Sequence, residues 1–257
     1  MTEAANPYQI PGVESNTPRP NSWKSIVIVF FLTSAIILVA AALFLPSIRF
    51  ASGASETLQC KNNLKNIVLA LHNYASRNGG QFPPAYTVDS NGKPLHSWRT
   101  LILAHVDRRE LYDRVDYSKP WNDPVNADVF KTALSVYSCP SLKNPDNLTT
   151  YQVIVSPGSC FPLTKSRNMS EITDGAGQTF LVVEMCSEHA VPWMSPQDTD
   201  EQTFLDQYPK GCSPHSGGFN VGYADGSVGF ISSTCSREVL KALITADGND
   251  VLDDNAF

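Results

Sequence analysis

Residues 26–45 read IVIVFFLTSAIILVAAALFL, twenty in a row without a charge and with only Thr33 and Ser34 polar. At ~1.5 Å per residue, a helix of that length crosses the ~30 Å hydrocarbon core of a bilayer. A cleaved signal peptide would be the plainer explanation, but its apolar region usually has ~7–15 residues and ends at a small-residue cleavage site. Here the run is longer, and Pro46-Ser47-Ile48-Arg49 follows it. The stretch is therefore read as an uncleaved single-span transmembrane helix, and it divides the chain in three. Residues 1–25 are polar, hold four prolines and read as a disordered cytoplasmic tail. Residues 46–257 are left to fold as one domain on the far side of the membrane.

The chain of 257 residues has 19 Lys+Arg against 25 Asp+Glu, a formal net charge of −6. An acidic balance without a basic block argues against nucleic acid as a partner, because Lys and Arg must offset phosphate charge. Charged residues make up 17%, below the ~25% of an average soluble protein. The 18 prolines and 15 glycines demand many turns, which excludes an all-helical bundle. Charge does not orient the span: Arg19 and Lys24 precede it, while Arg49, Lys61 and Lys65 follow. The cysteines do better. Cys60, Cys139, Cys160, Cys186, Cys212 and Cys235 all lie after the span, which suits an oxidising compartment. The expected topology has the N-terminus in the cytoplasm and the C-terminal domain periplasmic or surface-exposed.

Beyond the span, apolar residues at Leu58, Leu64, Ile67, Val68, Leu71, Tyr74 and Ala75 recur every three or four positions. That spacing predicts a second, amphipathic helix over 55–77, separated from the anchor by Pro46 and closed by Asn78-Gly79-Gly80. A membrane-surface helix has the same stripe, but a face packed on a sheet is its commoner cause. Residues 97–112 read as helix, 129–137 as a short helix, and 151–155 and 179–184 as strands. Asp225-Gly226 between the apolar runs 219–224 and 227–231 predicts a hairpin with a type I′ turn. A short helix over 239–244 and an acidic loop over 247–254 complete an α+β head, mostly antiparallel β with short helices.

Several of these segments, taken in order, carry a resemblance. They begin with Cys60-Lys-Asn-Asn-Leu-Lys-Asn-Ile-Val-Leu-Ala-Leu-His-Asn-Tyr74, Phe82-Pro-Pro-Ala-Tyr86 and Gly92-Lys-Pro-Leu-His-Ser-Trp-Arg99. Leu111-Tyr112, Pro120-Trp121, Asn126, Tyr137-Ser-Cys-Pro-Ser141, Ile172-Thr-Asp-Gly175 and Val182-Val-Glu184 follow. Val191-Pro-Trp193, Pro196-Gln-Asp198 and a His215-(nine residues)-Asp225-Gly226 motif complete the set. From about residue 50 to about 250 the chain resembles the bacterial domain of unknown function 1559 proteins, which are type IV pilin-like or prepilin-like. The resemblance implies an N-terminal anchor helix below a periplasmic or surface-exposed α+β head. The sequence departs from the prepilin pattern: no Gly stands directly before the apolar run and no Glu lies within 26–45. The expectation is a retained membrane protein with a pilin-like head.

Catalytic and cofactor chemistry finds little support. There is no Gly-x-Ser-x-Gly elbow, no phosphate loop and no Rossmann glycine pattern. His215 and Asp225 with Ser213 or Ser216 could be imagined as base, orienter and nucleophile, but Asp225 is where a hairpin turn wants Asp. His215, Asp225 and Gly226 are therefore read as a structural motif, and His72, His96, His105 and His189 as packing or surface residues. The cysteine intervals are 79, 21, 26, 26 and 23 residues, without the short pairs zinc sites favour. Disulfides are expected instead, among fifteen possible pairings. Because Cys60 and Cys139 both fall in family-like segments, the resemblance favours joining them. Asp247, Asn249, Asp250, Asp253 and Asp254 cluster oxygen ligands of the kind calcium needs, without EF-hand spacing. No cofactor and no resident metal is expected. The expected role is structural: a non-catalytic, membrane-anchored envelope protein that meets other envelope proteins or itself. The alternative is an extracytoplasmic ligand-binding or sensory module, with Trp98, Trp121 and Trp193 lining its site.

Overall fold

The computed structural model describes residues 23–142, 147–207 and 212–249, with the backbone alone described over 43–54. All but the end of the expected tail (1–25), and the loop beyond Asn249, lie outside the described residues. The chain divides into two compact units, Met1–Ala51 and Ser52–Phe257. The first holds the apolar run. Helix α1 (Trp23–Arg77) has 55 residues, and its candidate span, Trp23–Ala42, has a mean hydropathy of 2.7 with none of that window buried. The backbone stays helical through Pro46, where the sequence predicts an interruption. A proline removes one backbone hydrogen bond, and the bonds on either side can carry the helix past it.

In the second unit, the C-terminal part of α1 buries Cys60, Leu64, Ile67, Val68, Leu71 and Ala75. Leu58, assigned to the same stripe by its spacing, is instead exposed. Strands β1 (Tyr86–Val88) and β2 (Pro94–Ser97) form an antiparallel pair. The helix expected over 97–112 is broken in two, α2 (Trp98–Leu101) and α3 (Arg109–Tyr112), with a single 3-10 turn between them. Asp107 marks the break with φ +57°, a left-handed conformation that no helix continues through. The expected 129–137 helix is α4 (Ala127–Phe130) followed by a separate 3-10 turn, Ser135–Tyr137.

The strand expected over 151–155 is also divided. After β3 (Leu148–Thr149), β4 (Tyr151–Gln152) pairs with β6 (Phe180–Glu184), while β5 (Ile154–Val155) pairs in parallel with β8 (Thr199–Asp200). The division falls at Val153, whose N–H donates to Asp198 Oδ1 at 3.0 Å instead of to a strand. β3 pairs with β7 (Val191–Pro192). Helix α5 (Glu201–Gln207), unforeseen in the sequence, starts where Asp200 Oδ1 accepts from Thr203 N at 2.8 Å. The hairpin β9 (Gly218–Tyr223)–β10 (Val228–Ser232) and α6 (Arg237–Ile244) fall where the pattern puts them.

The central sheet is antiparallel, in the order β10-β9-β6-β4. All five residues of β6 and all six of β9 are buried, so both faces are covered. Phe219, Val221 and Tyr223 of β9 pack with Phe204, Leu205, Leu240, Leu243 and Ile244 of α5 and α6. The alternate residues, Asn220, Gly222 and Ala224, share the opposite face, which receives α1. A Cβ on Gly222 would overlap Val68 Cγ2, so this glycine is what lets the helix lie so close to the sheet. In β6 the alternation shifts between Phe180 and Val182, where the register with β9 is irregular.

A buried arginine joins the segments around this sheet. Arg99 is 0% exposed. Its Nε donates to the Trp193 carbonyl (2.9 Å), one terminal nitrogen to the Tyr151 carbonyl (3.2 Å), and the other to those of Ser195 (3.1 Å) and Gln197 (2.7 Å). Both terminal nitrogens also reach the Asp198 carboxylate, the shorter contact at 2.6 Å. Asp198 Oδ1 accepts from Trp98 Nε1 as well, at 3.1 Å. Burial pushes the Asp198 carboxyl up, and Arg99 with these N–H donors pulls it back. Removing one partner of such a pair strands the other in the interior, at a loss of about 3–5 kcal/mol. Arg99→Ala should therefore lower the unfolding free energy by that order in chemical denaturation. Arg99→Lys should recover only part of it, since an ammonium cannot reproduce the fork. A loss below ~1 kcal/mol in the alanine variant would show that the pair does not organise the head.

Candidate functional site

The α1 face of the sheet gathers the polar groups that the sequence scattered. Glu184 ends the apolar strand β6 (Phe-Leu-Val-Val-Glu), and its side chain is 0% exposed. His215 sits in a tight turn before β9, closed by reciprocal backbone bonds with Gly218 and by Ser213 Oγ donating to both carbonyls at 2.6 Å. Its Nε2 lies 2.7 Å from Glu184 Oε2, and its Nδ1 lies 3.3 Å from Thr57 Oγ1 on α1. The same carboxylate oxygen accepts from Asn220 N (3.3 Å) and Nδ2 (3.0 Å). Since a carboxylate oxygen only accepts, Nε2 is the protonated nitrogen of His215 in this arrangement. Three N–H donors on one oxygen offset much of the desolvation of a buried carboxylate.

Two disulfides frame this pair. Cys60–Cys139, with Cα atoms 5.2 Å apart, ties α1 to the segment after the 3-10 turn. Cys186–Cys212, Cα atoms 6.2 Å apart, joins a point two residues past Glu184 to one three residues before His215. Closing a loop of 79 residues stabilises a fold by roughly 4 kcal/mol in the chain-entropy account. Cys160 and Cys235, entered in the sequence reading as possible disulfide partners, are free thiols. They belong to different halves of the interior: Cys160 lies in the α1-side core and Cys235 packs on the α5–α6 side. Burial pushes the Cys160 thiol up to about 12 and also raises that of Cys235.

His215 and Asp225, considered together as base and orienter, are not brought together. The six residues of β9 lie between them, which at ~3.4 Å per residue is about 20 Å. Asp225 stands at the exposed hairpin tip, where its Oδ1 accepts from Ser227 N at 2.7 Å. The expected type I′ turn is not formed. Gly226 N donates to the Tyr223 carbonyl and Tyr223 N to that of Ser227, and only Gly226 of this turn has positive φ, +92°. This is a three-residue loop ending in a left-handed glycine, the next commonest way to close a hairpin. The tip rests on α1: Lys65 Nζ donates to the Gly226 carbonyl at 2.6 Å, and the His72 ring lies beneath Gly226.

The tryptophans expected to line a ligand site are structural. Trp98 and Trp193 are fully buried, with their indole N–H groups donating to Asp198 and to the Phe130 carbonyl. Trp121 packs edge-on against Phe130, ring centroids 5.2 Å apart. At the candidate calcium loop, Asp247 pairs with Arg167 at 3.1 Å, and Asp174 accepts the N–H groups of Gly248 and Asn249, each at 2.7 Å. Of the acidic residues proposed there, Asp250, Asp253 and Asp254 lie outside the described residues. Sequence reading left Glu184 without a role, although a lone carboxylate at the end of a wholly apolar strand already calls for a buried partner. Nothing local announces Thr57 or Asn220.

Residues 54–160 match the family model SBP_bac_10, described as a protein of unknown function (DUF1559). No curated protein and no solved structure matches the chain. The matched stretch supplies Cys60, Cys139 and Arg99, while Glu184 and His215 lie beyond it.

Three histidines make the head sensitive to acid: burial, with Arg77 and Arg109 beside it, lowers His105, and two others follow the same sign. Burial lowers His72, against smaller opposing effects of the Ala224 backbone and Asp225. Burial likewise lowers His96, whose Nε2 lies 2.7 Å from the Lys119 carbonyl. Both bind a proton less readily in the fold than at the unfolded value of about 6.5, so the unfolded chain holds more protons below it. Stability is thus complete above about pH 6.5 and falls as pH drops through that value. The denaturation midpoint of the detergent-solubilised protein should fall between about pH 7 and pH 5, and a His72→Gln/His96→Gln variant should show a shallower fall. A midpoint that is flat or rises toward acid contradicts this assignment.

Proposed function

For a chain that belongs to the DUF1559 family over residues 54–160, we propose the role of a membrane-anchored, pilin-like envelope protein whose head serves structure and protein contact rather than catalysis. The observation that carries this reading is the candidate span Trp23–Ala42, with none of its window buried by the protein. Phe30, Phe31, Ile36 and Leu38 are each 66–70% exposed there, and a lipid environment accounts for so continuous an apolar surface.

Two disulfides in the second unit support an oxidising compartment for the head. With the N-terminus then in the cytoplasm, the head is periplasmic or surface-exposed. A long helix laid on an antiparallel sheet supports the pilin-like description. The interior positions of Trp98 and Trp193, and the buried side chains of His215 and Glu184, favour a head that presents its surface to partners over one that admits a substrate. Those partners are other envelope proteins or further copies of this chain, not nucleic acid, in keeping with the net charge of −6.

Cell fractionation tests the reading. The full-length protein should remain in the membrane pellet after alkaline carbonate extraction, with an intact N-terminus by mass spectrometry. Protease added outside spheroplasts should degrade a C-terminal epitope, and deletion of residues 26–45 should release the head in soluble form. Recovery of the full-length protein in the soluble fraction, or a mature form starting after residue 45, would defeat the anchor. An epitope protected from external protease would reverse the orientation.

A further inference from the structure

We propose that the reduced head binds one zinc(II) ion between Cys60, Cys139, Glu184 and His215, so that the Cys60–Cys139 disulfide and a metal are alternative states of one site. One ligand atom from each of the four residues lies within 4.8 Å of the others, and all four residues are buried. With zinc–sulfur bonds of about 2.3 Å and zinc–nitrogen or –oxygen bonds of about 2.0–2.2 Å, a tetrahedral site spaces its ligand atoms about 3.3–3.8 Å apart. Atoms no more than 4.8 Å apart lie close to that spacing. Two thiolates, an imidazole and a carboxylate are a donor set of the borderline-soft kind that zinc accepts.

The chemistry balances with an external dithiol as reductant. The disulfide takes two electrons and two protons from the dithiol, which leaves as its own disulfide. As zinc enters, the two cysteine thiols release their protons to water. His215 coordinates through Nε2 once its proton resides on Nδ1, where Thr57 Oγ1, 3.3 Å away, can accept it. Glu184 remains a carboxylate, and the two N–H donors of Asn220 continue to orient it. These are the outer-shell contacts that metal-bound histidine and carboxylate ligands generally have. In the oxidised protein the sulfurs are bonded to each other, and two of the four ligands are lost. A surface depression of about 380 Å³ is lined by Gln59, Ser138 and Pro140, the chain neighbours of the two cysteines.

The paired sequence spacings that announce zinc are missing because the ligands come from α1, the segment after the 3-10 turn, β6 and the turn before β9. This inference is independent of the anchor and of the compartment. Its test uses the full-length protein in detergent, reduced with a phosphine under anaerobic conditions and titrated with cobalt(II) as a spectroscopic stand-in for zinc. The expected result is one cobalt per chain, with sulfur-to-cobalt charge transfer and the intense visible bands of a tetrahedral site, both abolished by zinc. Oxidised protein should give neither. Cys139→Ser and His215→Gln should weaken cobalt binding by at least about 10-fold, while Cys186→Ser should leave it unchanged. Zinc should also raise the melting temperature of the reduced wild type, relative to excess chelator, and not that of the oxidised protein. The proposal is overturned if reduced wild type shows no thiolate band, or if the band persists in Cys139→Ser. Should a variant fail to fold, the wild-type melting comparison decides, and no zinc-dependent shift rejects the site.

Discussion

The head is organised around one buried cation. Arg99 carries its charge into a region where isolated charge is costly, and the surrounding chain is arranged to satisfy it. Four backbone carbonyls and both oxygens of Asp198 accept from it. Those acceptors come from β4 and from the stretch between β7 and β8, so one side chain fixes loops that have little regular pairing of their own. Asp198 in turn takes the N–H of Val153 and so divides a continuous apolar run into two strands with different partners. Tyr137 completes the arrangement by donating its hydroxyl to the Arg99 carbonyl while stacking on Trp193.

Elsewhere in the α1-side interior, polarity is handled by a smaller device. Glu184 and His215 satisfy each other, and Asn220 and Thr57 hold them in place. Disulfides flank the pair, so the ends of β6 and β9 are tied both covalently and by hydrogen bonds. Neither arrangement faces solvent. Arg99, Asp198, Glu184 and His215 all carry their polar groups in the interior. Beside them, Cys60 and Cys139 form the disulfide whose redox state can change.

Much of this architecture was legible in the residues, wherever a local period governs the outcome. The apolar run 26–45, the stripe of α1, the buried strand β6 and the β9–β10 hairpin all come from spacings of two or between three and four residues. The errors cluster where a distant group intervened. The expected 151–155 strand lost its continuity to Asp198, over forty positions away. The hairpin turn kept its glycine but not its expected type, since Asp225 is held by Ser227 and by a docking contact with Ala176. The His215–Asp225 pairing failed because a strand that lies flat carries its two ends apart.

The sequence by itself determined that there is an apolar helix of membrane length, that an amphipathic helix follows, and that the rest is a turn-rich α+β head. Each of these depends on neighbouring residues within a few turns or strands, and the hydrophobic pattern records that directly. Only the tertiary structure decided that Arg99 meets Asp198, that His215 meets Glu184, and that four of the six cysteines pair while Cys160 and Cys235 stay apart. Those outcomes follow from the cost of burying charge and the narrow distance range of a disulfide. Both are properties of where segments meet in space, and no spacing along the chain encodes them.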